Sequence, residues 1–206
     1  MSIIKTVWLC ASKKIDRDPF TLVKANDKCR IYEVGGLCVV AFDGSNDLGD
    51  WINNLKATTT DDIHNGFYDS FAMFADDIEG YLTQIGDYES VIFTGHSRGG
   101  ALATVAASFF VLEGVLKSAS CITFGAPKVG DRDFRDNYNR LPIDHTGYRN
   151  GWDIVTYLPP SFTGYRHVGK LVKIKRPWYR KFLMTFRIKD HFVAAYDKAL
   201  KKQGII

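Results

Sequence analysis

A strand-like segment, a glycine-flanked serine and a helix follow one another directly in the middle of the chain. Residues 91–94 form a short apolar run, residues 95–99 read Gly-His-Ser-Arg-Gly, and helical periodicity starts at Arg98. In this GxSxG arrangement the serine lies on a tight, strained turn, and the small glycines let the strand and helix approach each other. The context predicts a nucleophile elbow with Ser97 as the nucleophile.

Buried strands alternate with amphipathic helices on both sides of this unit. Residues 37–42 and 121–124 have the length and composition of strands that are covered on both faces. Apolar residues recur every three or four positions over residues 67–85, and a second helix is predicted over residues 97–112. The alternation predicts an α/β fold in which helices cover both faces of a mostly parallel central sheet, giving three layers.

The length and composition fit one globular domain. The chain has 206 residues, enough for one buried core, and we expect residues 1–206 to form a single domain. Hydrophobic residues make up 46% and charged residues 24%, which excludes a disordered or collagen-like chain. No apolar stretch is long enough for a transmembrane helix.

The N-terminal segment and the cysteines bear on the expected compartment. Residues 3–10 are mostly apolar, but Lys5 interrupts them and the ordered regions of a signal peptide are missing. We predict a short strand or edge segment there. The four cysteines have neither CxxC nor metal-ligand spacing, so we expect reduced, buried thiols and no metal site. The expected location is the cytoplasm, with peripheral membrane association as a further option.

Basic residues are concentrated near the C-terminus. The net charge is +4, but residues 165–206 contain twelve Lys or Arg and two acids. Within them, the segment 173–189 has no acid and interleaves cations with aromatic residues, a composition suited to an anionic membrane surface. The alternative is a helix that docks on the core while its cations are solvated. Nucleic-acid binding is the least favoured option, because no recognition motif surrounds the basic run.

A nucleophilic serine needs a histidine base, and a carboxylate must orient that histidine. With an elbow of this kind, the acid and then the histidine follow the serine along the chain. The downstream candidates are His145, His167, His191, Asp131, Asp133, Asp144 and Asp153. Asp153 precedes an apolar segment and His191 opens a closing helix predicted over residues 191–200, positions that suit these roles. Spacing alone leaves the choice open.

An oxyanion forms when the serine attacks a carbonyl carbon, and it needs two aimed hydrogen-bond donors. The elbow offers the backbone N–H of Arg98, the residue after the nucleophile. The second donor is expected from the loop after the strand 37–42, where Ser45 can offer its N–H and its hydroxyl. Residues 47–55 can form a short helix that covers the site.

Several separated segments match one family in order and local context: 39–45, 50–55, 64–68, 95–101, 123–130, 150–159, 165–170 and 191–196. The pattern resembles the class 3 lipases, the fungal-type triacylglycerol lipases with an α/β-hydrolase fold, and their esterase relatives. The resemblance implies a triad of Ser97, Asp153 and His191. It also implies an oxyanion hole at Ser45 and Arg98.

Two positions depart from that family's pattern. Asp43 stands where the family usually has a basic residue in the oxyanion strand, and Arg98 stands where it usually has an apolar residue. Neither change removes a triad member. The cationic side chain of Arg98 makes an entirely apolar acyl site a weaker expectation.

The resulting hypothesis is a serine esterase or lipase that hydrolyses carboxylic esters through an acyl-enzyme, with no metal or organic cofactor. Its expected substrates are lipid or phospholipid esters, although the same triad also serves thioesters, aryl esters and amides. The alternative is a non-catalytic module of the same fold that binds anionic lipid or a protein partner through its basic C-terminal region.

Overall fold

A central sheet organises the computed structural model, which describes residues 1–15, 20–25, 28–44, 65–84, 90–175 and 184–206. In these ranges, seven strands form one sheet in sequence order. They are β1 (Thr21–Ala25), β2 (Cys29–Val34), β3 (Leu37–Phe42), β4 (Ser90–His96), β5 (Ala119–Phe124), β6 (Ile143–Asn150) and β7 (Lys170–Ile174). Strands β1 to β3 pair antiparallel, and β3 to β7 pair parallel. The mostly parallel sheet predicted from the sequence is confirmed.

Helices flank this sheet. Those in the described ranges are α1 (Ile3–Ala11), α2 (Asn65–Gln84), α3 (Arg98–Leu112), α4 (Arg132–Tyr138), α5 (Met184–Lys189) and α6 (Val193–Lys202). Helices α2 and α3 confirm the two helices that the apolar periodicity predicts. The covering helix expected over residues 47–55 lies outside the described residues. None of the helices described here is long and apolar enough to cross a membrane.

Strand β3 separates two hydrophobic clusters on opposite faces of the sheet. Its residues Cys38, Val40 and Phe42 pack in the cluster that contains α2 and α3. Val39 and Ala41 pack in the other cluster, together with α1 and α6. Because side chains alternate along a strand, this division requires a helical layer on each face. The three-layer α/β arrangement is therefore present.

Residues 3–10, where the sequence predicts a short strand, form helix α1 instead. Ser2 caps the helix, since its Oγ accepts a hydrogen bond from the Lys5 N–H at 3.3 Å. Val7 and Trp8 are fully buried on the face that packs against the sheet. A short apolar run does not distinguish a buried helix from a strand. The segment forms a helix because a helix buries Val7 and Trp8 against the sheet.

All four cysteines are free thiols buried in the core, as expected. They are Cys10, Cys29, Cys38 and Cys121. Burial raises the pKa of each thiol to about 12. The reactive thiolate is therefore scarce at neutral pH.

Candidate active site

Ser97 occupies a sharp turn between β4 and α3. Its backbone has φ 59° and ψ −128°, a positive φ that is rare for a residue with a side chain. A Cβ on Gly95 would overlap the backbone of Gly99, and a Cβ on Gly99 would overlap the backbone of Phe42. Both glycines are therefore required by close backbone approach. The turn has the geometry of the predicted nucleophile elbow.

The structure brings Ser97, His191 and Asp153 into one hydrogen-bonded series. Ser97 Oγ lies 2.8 Å from His191 Nε2, and His191 Nδ1 lies 2.9 Å from each Asp153 carboxylate oxygen. All three residues are buried. Because a carboxylate only accepts hydrogen bonds, Nδ1 carries the imidazole proton and Nε2 is free to accept one from the serine. This arrangement can activate the hydroxyl.

The Asp153 carboxylate is held from several sides. Besides His191, the Tyr196 hydroxyl donates to Oδ2 at 2.7 Å and the Val155 N–H donates to Oδ1 at 3.0 Å. The same hydroxyl accepts the Asn150 N–H at 2.9 Å. Burial, and then the charge of Asp153, raise the pKa of Tyr196 well above its usual range. Tyr196 thus remains a donor and fixes the orientation of the carboxylate.

Two further side chains fix the backbone that carries the histidine. His96 Nε2 lies 2.8 Å from the carbonyl oxygen of His191, and Asn150 Nδ2 donates to the carbonyl oxygen of Asp190 at 2.8 Å. Burial, and then the charge of His191, lower the pKa of His96 to about 3. His96 is therefore neutral and donates its Nε2–H. Sequence analysis missed these contacts, although His96 lies inside the GxSxG motif.

The other two histidines that the spacing left open lie elsewhere. His145 is buried, with Nδ1 2.8 Å from the Tyr138 hydroxyl. His167 donates through Nε2 to the carbonyl oxygen of Thr156 at 2.7 Å. Neither ring bonds to Ser97, whose hydroxyl lies beside His191 instead. The base inferred from the family resemblance is the one beside the serine.

The remaining acids are also excluded by position. Asp131 caps helix α4, where its side chain accepts from the Phe134 N–H at 2.9 Å. Asp133 and Asp144 are exposed on the surface. Among the downstream acids named in the sequence analysis, Asp153 alone contacts the histidine beside Ser97.

Of the two expected oxyanion donors, the described residues include Arg98 but not Ser45. Arg98 is the first residue of α3, so its backbone N–H has no partner within the helix. Its guanidinium is half-buried and donates to Ser70 Oγ of α2 at 2.7 Å. Ser45 lies outside the described residues. The preceding residue, Gly44, passes close to the nucleophile, since a Cβ on it would lie 3.7 Å from Ser97 Cβ.

Asp43, the acidic departure from the family pattern, is neutralised by two cations. Arg30 donates to Oδ1 at 2.5 Å and to Oδ2 at 2.9 Å, and Lys13 Nζ lies 2.6 Å from Oδ2. The carboxylate is buried, so this pairing satisfies a charge that would otherwise be costly.

In the part of the chain described, no group of His, Cys, Asp and Glu could hold a metal ion.

Comparison with known sequences identifies lipase relatives. A family model described as Lipase (class 3) matches residues 39–163. The lipase of Rhizomucor miehei is 31% identical over 144 residues, which cover 64% of this chain and 40% of that lipase. Phospholipase A1-II 5 of Oryza sativa subsp. indica is 31% identical over 103 residues, which cover 45% and 22% of the two chains. The chain matches less than half the length of either relative.

Solved structures give the same fold. The lipase from Rhizopus microsporus var. chinensis has 29% identity and a TM-score of 0.67, covering 77% of this chain and 63% of that one. Rhizomucor miehei triacylglyceride lipase has 25% identity and a TM-score of 0.71, covering 84% and 73%. The α/β-hydrolase-like fold expected from the sequence is confirmed.

Proposed function

Because the chain belongs to the class 3 lipase family, we propose that it hydrolyses carboxylic esters, with lipid or phospholipid esters as its substrate class. The hydrogen-bonded series from Ser97 through His191 to Asp153 carries the proposal. Relatives named lipase and phospholipase A1 support the substrate class. We also propose that residues 1–206 act as one domain.

The first half of the reaction forms an acyl-enzyme. Ser97 Oγ attacks the ester carbonyl carbon while His191 Nε2 takes the hydroxyl proton, and Asp153 stabilises the resulting imidazolium through Nδ1–H. The tetrahedral intermediate then collapses and its bond to the leaving alcohol breaks. His191 gives its proton to that alcohol, which leaves the acyl group on Ser97.

The second half transfers the acyl group to water. His191 Nε2 takes a proton from water, whose oxygen attacks the acyl carbon. Collapse of the second intermediate releases the carboxylic acid, and His191 returns the proton to Ser97. These side chains and water account for every step.

The negative oxygen of each intermediate is assigned to two backbone N–H groups, those of Arg98 and Ser45. The position of Arg98 at the start of α3 supports the first donor. The close approach of Gly44 to Ser97 supports the second, because Ser45 follows it directly. Loss of one such donor typically raises the barrier by about 2.7 to 4 kcal/mol.

The geometry favours this reaction over the non-catalytic alternative. Ser97 has a strained backbone, and its hydroxyl lies within hydrogen-bond reach of a histidine that a buried carboxylate orients. Strain of this kind persists where the surrounding structure enforces it, typically at functional sites. A module that only binds lipid or protein through its C-terminal region needs none of these features.

Peripheral binding to an anionic membrane through the segment 173–189 is part of the proposal. Lys175, Ile188 and Lys189 are exposed at its two ends, which offers both cations and an apolar side chain to a bilayer surface. Residues 176–183 lie outside the described residues. Cytoplasmic location and the low expectation of nucleic-acid binding stay predictions.

A fluorophosphonate probe tests the catalytic proposal, because it labels only an activated serine. The purified chain is expected to be labelled, whereas Ser97→Ala is not and loses at least about three orders of magnitude in turnover of p-nitrophenyl esters. Ser108→Ala is the matched control, since Ser108 is buried in α3 with its hydroxyl bound to the Val105 carbonyl oxygen. A folded wild-type chain that resists labelling would favour the non-catalytic alternative.

A further inference from the structure

Two arginine side chains lie over the ring of Tyr157. The guanidinium carbon of Arg149 is 4.9 Å from the ring centroid, and that of Arg187 is 5.5 Å from it. The Nε of each arginine is buried without a hydrogen-bond partner among the described residues. Neither guanidinium forms an ion pair within the described ranges. Two partly buried guanidinium groups that contact one ring, with no carboxylate paired to either in these ranges, leave their charge available to an anion.

Both arginines are anchored beside the loops of the candidate active site. Arg149 lies near the end of β6, directly before Asn150, whose side chain binds the Asp190 carbonyl oxygen. Arg187 lies in α5, and its carbonyl oxygen accepts the N–H of Ile154 at 3.2 Å. Ile154 follows Asp153. A ligand on the two guanidinium groups would therefore bind next to the segments that carry the proposed acid and base.

A third cation strengthens the positive charge around this ring. The Lys128 ammonium is buried and donates to the carbonyl oxygens of Tyr157 and Pro159 at 2.9 and 2.7 Å. Burial, and then the charges of Arg166 and Arg149, lower the pKa of Lys128 to about 8. Lys128 and Arg149 are thus close enough to affect each other, which adds to the local positive potential.

The acids nearest in the chain are engaged elsewhere. Asp153 contacts His191 and accepts from Tyr196. Asp190 is buried, and its Oδ2 lies 3.4 Å from the N–H of Trp152. The Asp153 carboxylate is thus paired with His191 rather than with either arginine.

The chemistry of the pair fits a phosphate group. A guanidinium is a planar fork that binds phosphate oxygens in pairs and also stacks on aromatic rings. A carboxylate fills one such fork, whereas the several oxygens of a phosphate can serve two. Arg149 and Arg187 are both only half-buried, so a ligand can reach them from solvent.

We propose that Arg149 and Arg187, placed together by Tyr157, form a binding site for a phosphate group. The lipid assignment rests on the proposed ester hydrolysis, under which the phosphate belongs to the headgroup of a phospholipid. A soluble phosphate ester offers the same chemistry, and the two sources are separated by experiment.

The first arm measures binding of inorganic phosphate by thermal shift, against sodium chloride at equal ionic strength. Phosphate is expected to raise the Tm of the wild type, and its affinity should fall at least about tenfold in Arg149→Gln/Arg187→Gln. Arg132→Gln/Arg140→Gln removes two exposed charges elsewhere and should bind like the wild type. No phosphate-specific shift in the wild type, or equal affinity of the two double variants, overturns the site.

The conservative pair Arg149→Lys/Arg187→Lys keeps both charges but removes the planar forks. Its affinity for phosphate should lie between those of the wild type and the glutamine pair. If the glutamine pair does not fold, the lysine pair decides, and wild-type affinity in it overturns the proposal.

The second arm identifies the source of the phosphate. Each protein, carrying Ser97→Ala to prevent turnover, is sedimented with phosphatidylcholine vesicles with and without phosphatidylglycerol. Weaker binding of the Arg149/Arg187 glutamine pair than of the control pair supports a lipid headgroup, and equal binding supports a soluble phosphate ester. Both arms measure binding, so they can succeed or fail separately from fluorophosphonate labelling of Ser97.

Discussion

The guanidinium of Arg30 and the carboxylate of Asp43 face each other across β2 and the end of β3, joined by two hydrogen bonds. Lys13 completes the cluster. The carboxylate immediately precedes Gly44, where the chain passes Ser97. The acidic residue that departs from the family pattern therefore has local partners, and it anchors the segment that leads to the proposed oxyanion donor.

Removing this anchor should destabilise the chain. Arg30→Gln removes the bidentate contact to the buried Asp43 carboxylate. The free energy of unfolding is therefore expected to fall by about 2 kcal/mol. Urea denaturation measures the loss. Lys24→Gln is the control, because Lys24 and Asp77 form an exposed ion pair of small expected value. Equal losses in the two variants would contradict a special role for the Arg30 contact.

The identity of the acid can be tested by an isosteric change. Asp153→Asn retains the shape of the side chain but can present an amide N–H to His191 Nδ1, which favours the wrong imidazole tautomer. Turnover is expected to fall by about three to four orders of magnitude. Asp144→Asn, at an exposed acid that the sequence left open, should retain wild-type turnover. Steady-state ester hydrolysis measures both, and similar rates in the two variants would rule out Asp153 as the acid.

Tyr196 is expected to support both stability and catalysis. Tyr196→Phe removes the donor to Asp153 and the acceptor of the Asn150 N–H. Two buried polar groups lose a partner, so the free energy of unfolding should fall by about 1 to 3 kcal/mol, and turnover should fall with it. Tyr148→Phe serves as the control, since the Tyr148 ring stacks on Phe124. Unchanged stability of Tyr196→Phe would mean that these hydrogen bonds contribute little.

Buried histidines make the fold sensitive to acid. Burial lowers the pKa of His96 and His145 to about 3 and that of His167 to about 4, from 6.5 for an ordinary histidine. Below about pH 6.5 the unfolded chain takes up protons that the native chain does not. The free energy of unfolding should therefore fall as the pH falls from about 6.5 to 5, by at most about 1.4 kcal/mol per pH unit for each histidine.

A single substitution checks this slope. His145→Gln removes one buried titrating group, so its unfolding free energy should depend less on pH over the same range. Tyr138→Phe removes the hydroxyl bonded to His145 and keeps the ring, so its slope should match the wild type. Denaturant titrations at several pH values supply the data. Identical slopes for wild type and His145→Gln would show that this histidine does not contribute.

Local sequence patterns predicted most of the sheet and the helices around the elbow. Residues 37–42 and 121–124 are short apolar runs rich in β-branched and aromatic residues and next to glycines, which favours buried strands over helices. The strand predicted over residues 3–10 was wrong, because the conformation of this segment depends on the side chains it packs against. Trp8 packs edge-on against Phe124, and its indole N–H binds Asp197, contacts far from it in the sequence.

The candidate site could be predicted only in part, because some of its residues are marked by their sequence neighbours and others come together only in the fold. Ser97 is marked by its own neighbours, because a GxSxG turn between strand and helix is a local pattern. The choice of Asp153 and His191 needed the family resemblance, since only the fold brings them to the serine. His96 and Tyr196 act through a backbone carbonyl and a carboxylate, and no spacing rule identifies such contacts. Ser45 remains a prediction.

The shielding of the four native thiols makes the chain convenient for site-specific chemistry. Each is buried, with a pKa of about 12, so maleimide reagents should leave the folded protein unmodified. One cysteine introduced at exposed Phe162 would then accept a single fluorophore without removal of any native cysteine. An emission change on adding vesicles would report in real time whether the environment of this position changes when the chain meets lipid.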